Sequence, residues 1–213
     1  MAGEEVEVTL MFLDIRDFTG FSERTPARDV VGTINRLFER VVPSIHAHGG
    51  RVDKYVGDGL LAVFGAPRRQ PDHADEALAA ALEIARSLCE PRQDEQDEEL
   101  PEIGIGLSSG TVVAGNVGGD GRFEFTVIGD AVNVASRVEA ATRQTGDIVL
   151  VAERTVSLLE HAEVELVERT GVELKGKSET VSVYAPKDGP KLKSTGEPAD
   201  ESSNRHTHRP AVP

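Results

Sequence analysis

Val6-Glu7-Val8-Thr9-Leu10-Met11-Phe12-Leu13-Asp14-Ile15-Arg16-Asp17-Phe18-Thr19-Gly20 is the stretch from which the rest of the chain can be read. Val6 to Leu13 is apolar and β-branched, which predicts a strand, and polar residues crowd its carboxyl end. From Pro26 to about His48, apolar residues fall at Val30, Val31, Ile34, Leu37, Phe38, Val41, Val42 and Ile45. That is helical spacing behind a Thr25-Pro26 start signal. Gly49-Gly50 ends the helix, and Arg51 to Val56 and Leu60 to Phe64 read as two short strands joined by Gly57-Asp58-Gly59, a hairpin signal. A second helix is predicted from about Asp72 to Leu88, then a strand from Ile103 to Ser109, a Gly-rich segment, and another strand from Phe123 to Ile128. The order specifies an α+β fold with a ferredoxin-like βαββαβ core. Extra C-terminal elements extend it: a helix over Ala131 to Thr142, a small helix near Glu153 to Leu159, and short strands up to Tyr184.

A chain of 213 residues suits one well-buried core better than two. The reading is one catalytic-sized domain over 1–186 and a tail over 187–213. The tail carries Pro, Ser and charged residues with almost no large apolar ones, so it is expected to be disordered. His206 and His208 lie there and read as a polar tract or an expression scar rather than a metal site. The formal charge of −14, from 23 basic and 37 acidic residues, argues against a nucleic-acid surface. A nucleotide would have to be met by local charge or by metal. The longest apolar runs are far too short for a membrane span and no signal segment opens the chain, so the expected setting is cytoplasmic, or the cytoplasmic portion of a larger receptor. Cys89 is the only cysteine, which excludes an internal disulfide; its place in an apolar helical pattern predicts a core position. Asp94 to Glu99 reads as a solvated acidic turn.

In a ferredoxin-like sheet the third strand lies antiparallel beside the first, so Asp14 at the end of one should meet Asp58 at the start of the other. An isolated Asp-Gly is usually an ordinary turn. Two carboxylates in contact repel, and such a pair persists when it binds hard divalent cations through oxygen. Two metals on carboxylates suit in-line attack on phosphorus. The adjoining loop from Ile15 to Gly20 can offer backbone N–H groups to phosphate oxygens. Asn133 and Arg137, four apart on the predicted third helix, share a face.

Three segments together resemble the signatures of the class III adenylyl and guanylyl cyclases. They are Phe12-Leu13-Asp14-Ile15-Arg16-Asp17-Phe18-Thr19, Lys54-Tyr55-Val56-Gly57-Asp58-Gly59-Leu60-Leu61-Ala62-Val63-Phe64-Gly65, and Phe125-Thr126-Val127-Ile128-Gly129-Asp130-Ala131-Val132-Asn133-Val134-Ala135-Ser136-Arg137. The resemblance covers roughly residues 5 to 185 and rests on three motifs in family order. It implies an adenylate cyclase that converts ATP to 3',5'-cyclic AMP and pyrophosphate, with two divalent ions (Mg2+ or Mn2+) at Asp14, Ile15 and Asp58. It implies a head-to-tail homodimer, in which those carboxylates face Lys54, Asn133 and Arg137 of the other subunit. In that scheme Asn133 orients the ribose, and Arg137 neutralises charge building on the α-phosphate. Phe18, Thr19 and Gly57 belong to the substrate site, and Lys175 matches a lysine that reaches the triphosphate. Lys54 donates to adenine N1, and guanylyl cyclases typically carry glutamate at its position. The second base reader is Thr126, where many relatives have aspartate; its hydroxyl can still accept from the adenine amino group. Threonine here resembles a bicarbonate-responsive subgroup, in which Lys54 and an arginine matching Arg122 help bind the activating anion. The segment Gly115-Asn116-Val117-Gly118-Gly119-Asp120-Gly121 is not followed by a helix as phosphate loops require, and reads as a flexible dimer arm.

Two other readings compete. A diguanylate cyclase or a polymerase-like palm also pairs carboxylates on these strands, and Lys54 with Asn133 and Arg137 argues against both. A degenerate cyclase domain that only dimerises or binds nucleotide would usually lack a metal aspartate or the Asn-Arg pair, and neither is missing.

Overall fold

The computed structural model describes residues 3–89, 100–119, 121–172 and 182–189. Strand β1 (Glu4–Ile15) is followed by a short helix α1 (Phe18–Arg24), helix α2 (Ala27–Ala47), the hairpin β2 (Arg51–Val56) and β3 (Gly59–Phe64), and helix α3 (His73–Cys89). Then come β4 (Ile103–Gly119), β5 (Arg122–Ile128), α4 (Asp130–Thr145), β6 (Val149–Ala152), α5 (Glu153–Val156), β7 (Leu166–Arg169) and β8 (Val183–Pro186). The sheet order is β2-β3-β1-β4-β6-β8-β7, with β5 paired to β4 alone. Its first four strands have the ferredoxin-like order, and β6, β7 and β8 extend the sheet beyond β4.

Both faces of β1 are covered, which is why its sequence is a nearly continuous apolar run rather than an alternating one. Met11, Leu13 and Ile15 point into a core shared with Leu37, Val41 and Ile45 of α2 and Leu78 and Ile84 of α3. Val8 and Leu10 point the other way, into a second core with Ala131 and Ala135 of α4. Each fully buried Val, Leu, Ile or Met side chain among these contributes about 1.5–3 kcal/mol relative to exposure. Helix α4 lies directly on β4. A methyl added at Gly106 would stand 2.2 Å from the Glu139 amide nitrogen and 2.6 Å from the Ala135 carbonyl oxygen.

The structure departs from the sequence reading in three places. The strand read over Ile103 to Ser109 does not end before the Gly-rich segment: β4 continues through it to Gly119 and forms a long antiparallel hairpin with β5, registered from Val113 opposite Ile128 to Gly119 opposite Arg122. Small residues there still pair their backbone groups, so composition alone hid the strand. Phe18 and Thr19 lie in the first turn of α1 rather than in a loop, with Asp17 ahead of it at φ 46°. Cys89 is exposed, because it is the final residue of α3 and lies past the stripe that faces the sheet. Of the segment 187–213 the described residues are 187–189, where Lys187 bonds Glu165. Lys175 and the acidic segment 94–99 lie outside the described residues. No described helix is long and apolar enough to cross a membrane.

A histidine clamps α2 to α3. The His48 ring bonds Glu76 through Nδ1 at 2.7 Å and Glu83 through Nε2 at 3.0 Å. Burial alone would lower its pKa, but the two glutamates outweigh burial and raise it above the ordinary 6.5. A histidine raised on folding adds stability that is fully present below the unfolded value and is lost as pH rises through the folded one. Melting temperature should therefore fall as pH rises from about 6.5 through the elevated folded value. His48→Gln should flatten that segment of the profile, and thermal melts of the two proteins across pH 5.5–9 check it.

Candidate active site

Antiparallel pairing of β1 with β3 sets Leu13 opposite Leu60, so the next pair brings Asp14 to the β2–β3 turn that carries Gly57 and Asp58. Gly59 makes the approach possible. A methyl there would lie 2.4 Å from the Leu13 carbonyl oxygen and 2.8 Å from Asp14 Oδ1. The two carboxyl groups interact as the sequence predicted they should. Burial, and next the charge of Asp14, push the Asp58 carboxyl above its ordinary 3.8, with a hydrogen bond to Asp14 acting the same way. Gly57 takes φ +62° in the turn. Ile15 is buried, leaving only its backbone as a source of ligand oxygen.

Charged side chains that the sequence reading did not single out stand behind this pair. Arg143, near the end of α4, donates from Nη2 to Asp14 Oδ2 at 3.1 Å and lies 3.4 Å from Glu139. Burial works to lower its pKa, but Glu139 and Asp14 outweigh burial and raise it. Arg16 lies beside Glu139, and its three guanidinium nitrogens are buried without a hydrogen-bond partner among the described residues. Glu139 itself is buried, which raises its carboxyl above the ordinary 4.5. In sequence Glu139 and Arg143 form an unremarkable i,i+4 pair, and only the seating of α4 over the sheet brings them to Asp14.

A second polar cluster joins β2 to β5. Lys54 donates from Nζ to Thr126 Oγ1 at 2.8 Å, so the two residues assigned to base reading are in contact within one chain. Thr126 in turn donates to Asp53 Oδ2 at 2.7 Å, and Lys54 lies 3.3 Å from the same oxygen. Arg51 donates to Asp53 Oδ1 at 2.8 Å and stacks over the Phe125 ring at 5.1 Å. Asp53 was not foreseen. In a regular strand it would point away from its neighbour Lys54, but the β2–β3 register slips between Val52 and Lys54, and the bulge turns both side chains to Thr126. The Asp53 side chain is 0% exposed.

Asn133 is exposed and Arg137 half-buried, on the first turns of α4. Arg137 stands six residues before Arg143, so it lies about 9 Å along the axis and about a third of a turn round the helix from it. Within one chain, α4 brings Arg143 to Asp14. Phe18 is half-buried, with its ring 6.2 Å from that of Phe21, and Thr19 is exposed. Arg122 sits in β5 opposite Gly119. Its side chain is outside the described residues.

The donor set suits a small hard cation. Among the described residues no three His, Cys, Asp or Glu side chains gather as a closed metal cage. Two carboxylates and a backbone carbonyl, leaving other positions to water and substrate phosphate, are what magnesium-like ions accept.

Known proteins share this fold. A bacterial light-regulated adenylyl cyclase superposes with a TM-score of 0.80 at 30% identity, over 92% of this chain and 55% of that one. The guanylyl cyclase Cya2 superposes with a TM-score of 0.77 at 31% identity, over 94% of this chain and 98% of that one. An uncharacterized protein of Mycobacterium tuberculosis is 38% identical over 189 residues, which is 87% of this chain and 34% of the relative, so the chain spans about a third of that protein's length. The family model described as adenylate and guanylate cyclase catalytic domain matches residues 2–185, the span that contains Asp14, Asp58, Lys54, Thr126 and α4. With the fold, the carboxylate pair and this match in agreement, the chain belongs to the adenylate and guanylate cyclase catalytic domain family.

Proposed function

We propose that the domain is an adenylate cyclase, converting ATP to 3',5'-cyclic AMP and pyrophosphate at two centres shared between the chains of a head-to-tail homodimer. Asp14, Asp58 and the Ile15 carbonyl would hold two divalent ions, Mg2+ or Mn2+. When bound, these ions supply activation of the 3'-hydroxyl and neutralisation of the triphosphate. Asn133 orients the ribose, and Arg137 meets the charge that builds on the α-phosphate as the new P–O bond forms and pyrophosphate departs. Lys175 contributes a further cation to the triphosphate, and Phe18, Thr19 and Gly57 border the substrate.

The observation that carries the adenine reading is the 2.8 Å contact of Lys54 Nζ with Thr126 Oγ1. It sets a donor for N1 beside an acceptor for the 6-amino group, whereas guanine presents a donor at N1 and an acceptor at O6. The shared-site reading is supported by the place of Arg137 on α4, about 9 Å along the axis from Arg143, the arginine that binds Asp14. It is also supported by apolar side chains left exposed on strands around Lys54 and Thr126: Tyr55, Val56, Val113, Val117, Phe123 and Ile128. The Thr126 resemblance adds bicarbonate as an activating anion at Lys54 and Arg122, and a nucleoside triphosphate substrate fits a cytoplasmic setting.

Turnover of ATP and GTP by the purified chain, under magnesium and then manganese, tests the proposal. ATP is expected to be preferred, and a preference for GTP would replace the adenylate reading with a guanylate one. Lys54→Glu is expected to lower kcat/KM for ATP by about tenfold or more, since it removes the N1 donor and sets a carboxylate against the base. Unchanged kinetics with ATP would show that Lys54 does not read the base.

A further inference from the structure

We propose that Asp53 is the residue that fixes which purine the site reads, by making the Thr126 hydroxyl an acceptor only. The inference rests on the adenine reading above and names the device behind it. A threonine hydroxyl has one proton and two lone pairs, and left to rotate it can serve an amino group or a carbonyl equally well. Here the choice is removed. Lys54 has no lone pair to offer, so its 2.8 Å contact with Thr126 Oγ1 consumes one of the hydroxyl's lone pairs. The single proton then goes to Asp53 Oδ2 at 2.7 Å. One lone pair is left for the ligand, which suits the 6-amino group of adenine and opposes the O6 of guanine.

The rest of the cluster keeps this polarity in place. Arg51 binds the other carboxylate oxygen at 2.8 Å and supplies a counter-charge, so Asp53 does not consume the Lys54 ammonium. Of the three Lys54 protons, one goes to Thr126 and a second faces Asp53 at 3.3 Å, leaving the third for N1. Because the Asp53 side chain is fully buried, water cannot substitute for it as the proton acceptor. The β2 bulge is part of the device, since without the slip between Val52 and Lys54 the carboxylate would face away from the lysine. Asp53 is thus a positioning residue: it acts on the base through Thr126 and touches no reacting atom.

The test is a double-mutant cycle on purine preference, using wild type, Asp53→Asn, Thr126→Val and the double variant, with thermal melts to establish folding. An asparagine can turn its amide NH2 toward Thr126 and release the hydroxyl proton to face the base. Asp53→Asn should therefore lower the ATP-to-GTP ratio of kcat/KM by about tenfold or more. The same fall should appear in the ratio of inhibition constants for 3'-deoxy-ATP and 3'-deoxy-GTP, which bind but lack the attacking hydroxyl. In the Thr126→Val background, Asp53→Asn should change either ratio by less than about twofold. Asp53→Ser, which removes the carboxylate with a smaller group, should give the same fall and replaces the asparagine variant if that one does not fold. A folded, ATP-preferring enzyme whose ratio ignores Asp53→Asn would overturn this inference and leave the adenine reading standing. An equal fall in the presence and absence of the Thr126 hydroxyl would do the same. A wild type that prefers GTP would instead remove the adenine reading and this inference with it.

Discussion

Asp14→Ala and Asp58→Ala are each expected to fold and to lose cyclase turnover by at least about 100-fold. The loss follows from the donor set: with one carboxylate gone, a single carboxylate and a backbone carbonyl remain to hold two divalent charges. The fold should survive for separate reasons at the two positions. Asp14 gives up an ion pair with Arg143 whose side chains are 24% and 45% exposed, a contact worth about 0–1 kcal/mol at a wet site, and Arg143 keeps Glu139. Asp58 is raised by burial and by Asp14, so its removal gives up one hydrogen bond to Asp14 but relieves the burial and repulsion of its carboxyl group. Thermal melts together with ATP turnover in Mg2+ and Mn2+ check both parts. A folded variant that keeps most of its activity would sink the metal assignment.

Mixing inactive Asp14→Ala with inactive Arg137→Ala should restore activity that neither chain has alone. If each centre takes its carboxylates from one chain and Arg137 with Asn133 from the other, a heterodimer holds one centre with both lesions and one with neither. Statistical exchange makes about half the dimers mixed, each with one of two centres intact, so recovery should approach about a quarter of wild type. Activity should also fall on dilution, because a single chain holds no complete centre. Verified heterodimers without activity, or a monomer with full turnover, would refute the shared centre even for an active cyclase.

Much of the fold could be read from local signals. The 3.6-residue stripe from Val30 to Ile45 and the Gly57-Asp58-Gly59 punctuation placed α2 and the hairpin within a residue or two of where they stand. The meeting of Asp14 with Asp58 followed from strand order, because an antiparallel register converts two distant positions into neighbours. What could not be read depends on irregularity and on long-range seating. Asp53 looks like a solvated strand residue until the bulge turns it inward. Arg143 looks like a surface arginine until α4 docks and brings it to Asp14. The hairpin of β4 and β5 was hidden by glycines, whose composition argues for loop while their backbone pairs as strand.

The closeness of α4 to β4 at Gly106 bears on how such a domain can be controlled. With backbone against backbone at this point, a tilt or slide of the helix across the sheet would break a close-packed contact, so the helix that carries Asn133 and Arg137 is tightly seated. An upstream signal gains little by deforming either chain. In the proposed homodimer its leverage would be the angle and spacing at which the two halves meet, a quantity that light, ligand or phosphorylation could each alter from outside. A sensor coupled to this domain would then need no chemical kinship with cyclic nucleotides, only a means of turning one half against the other.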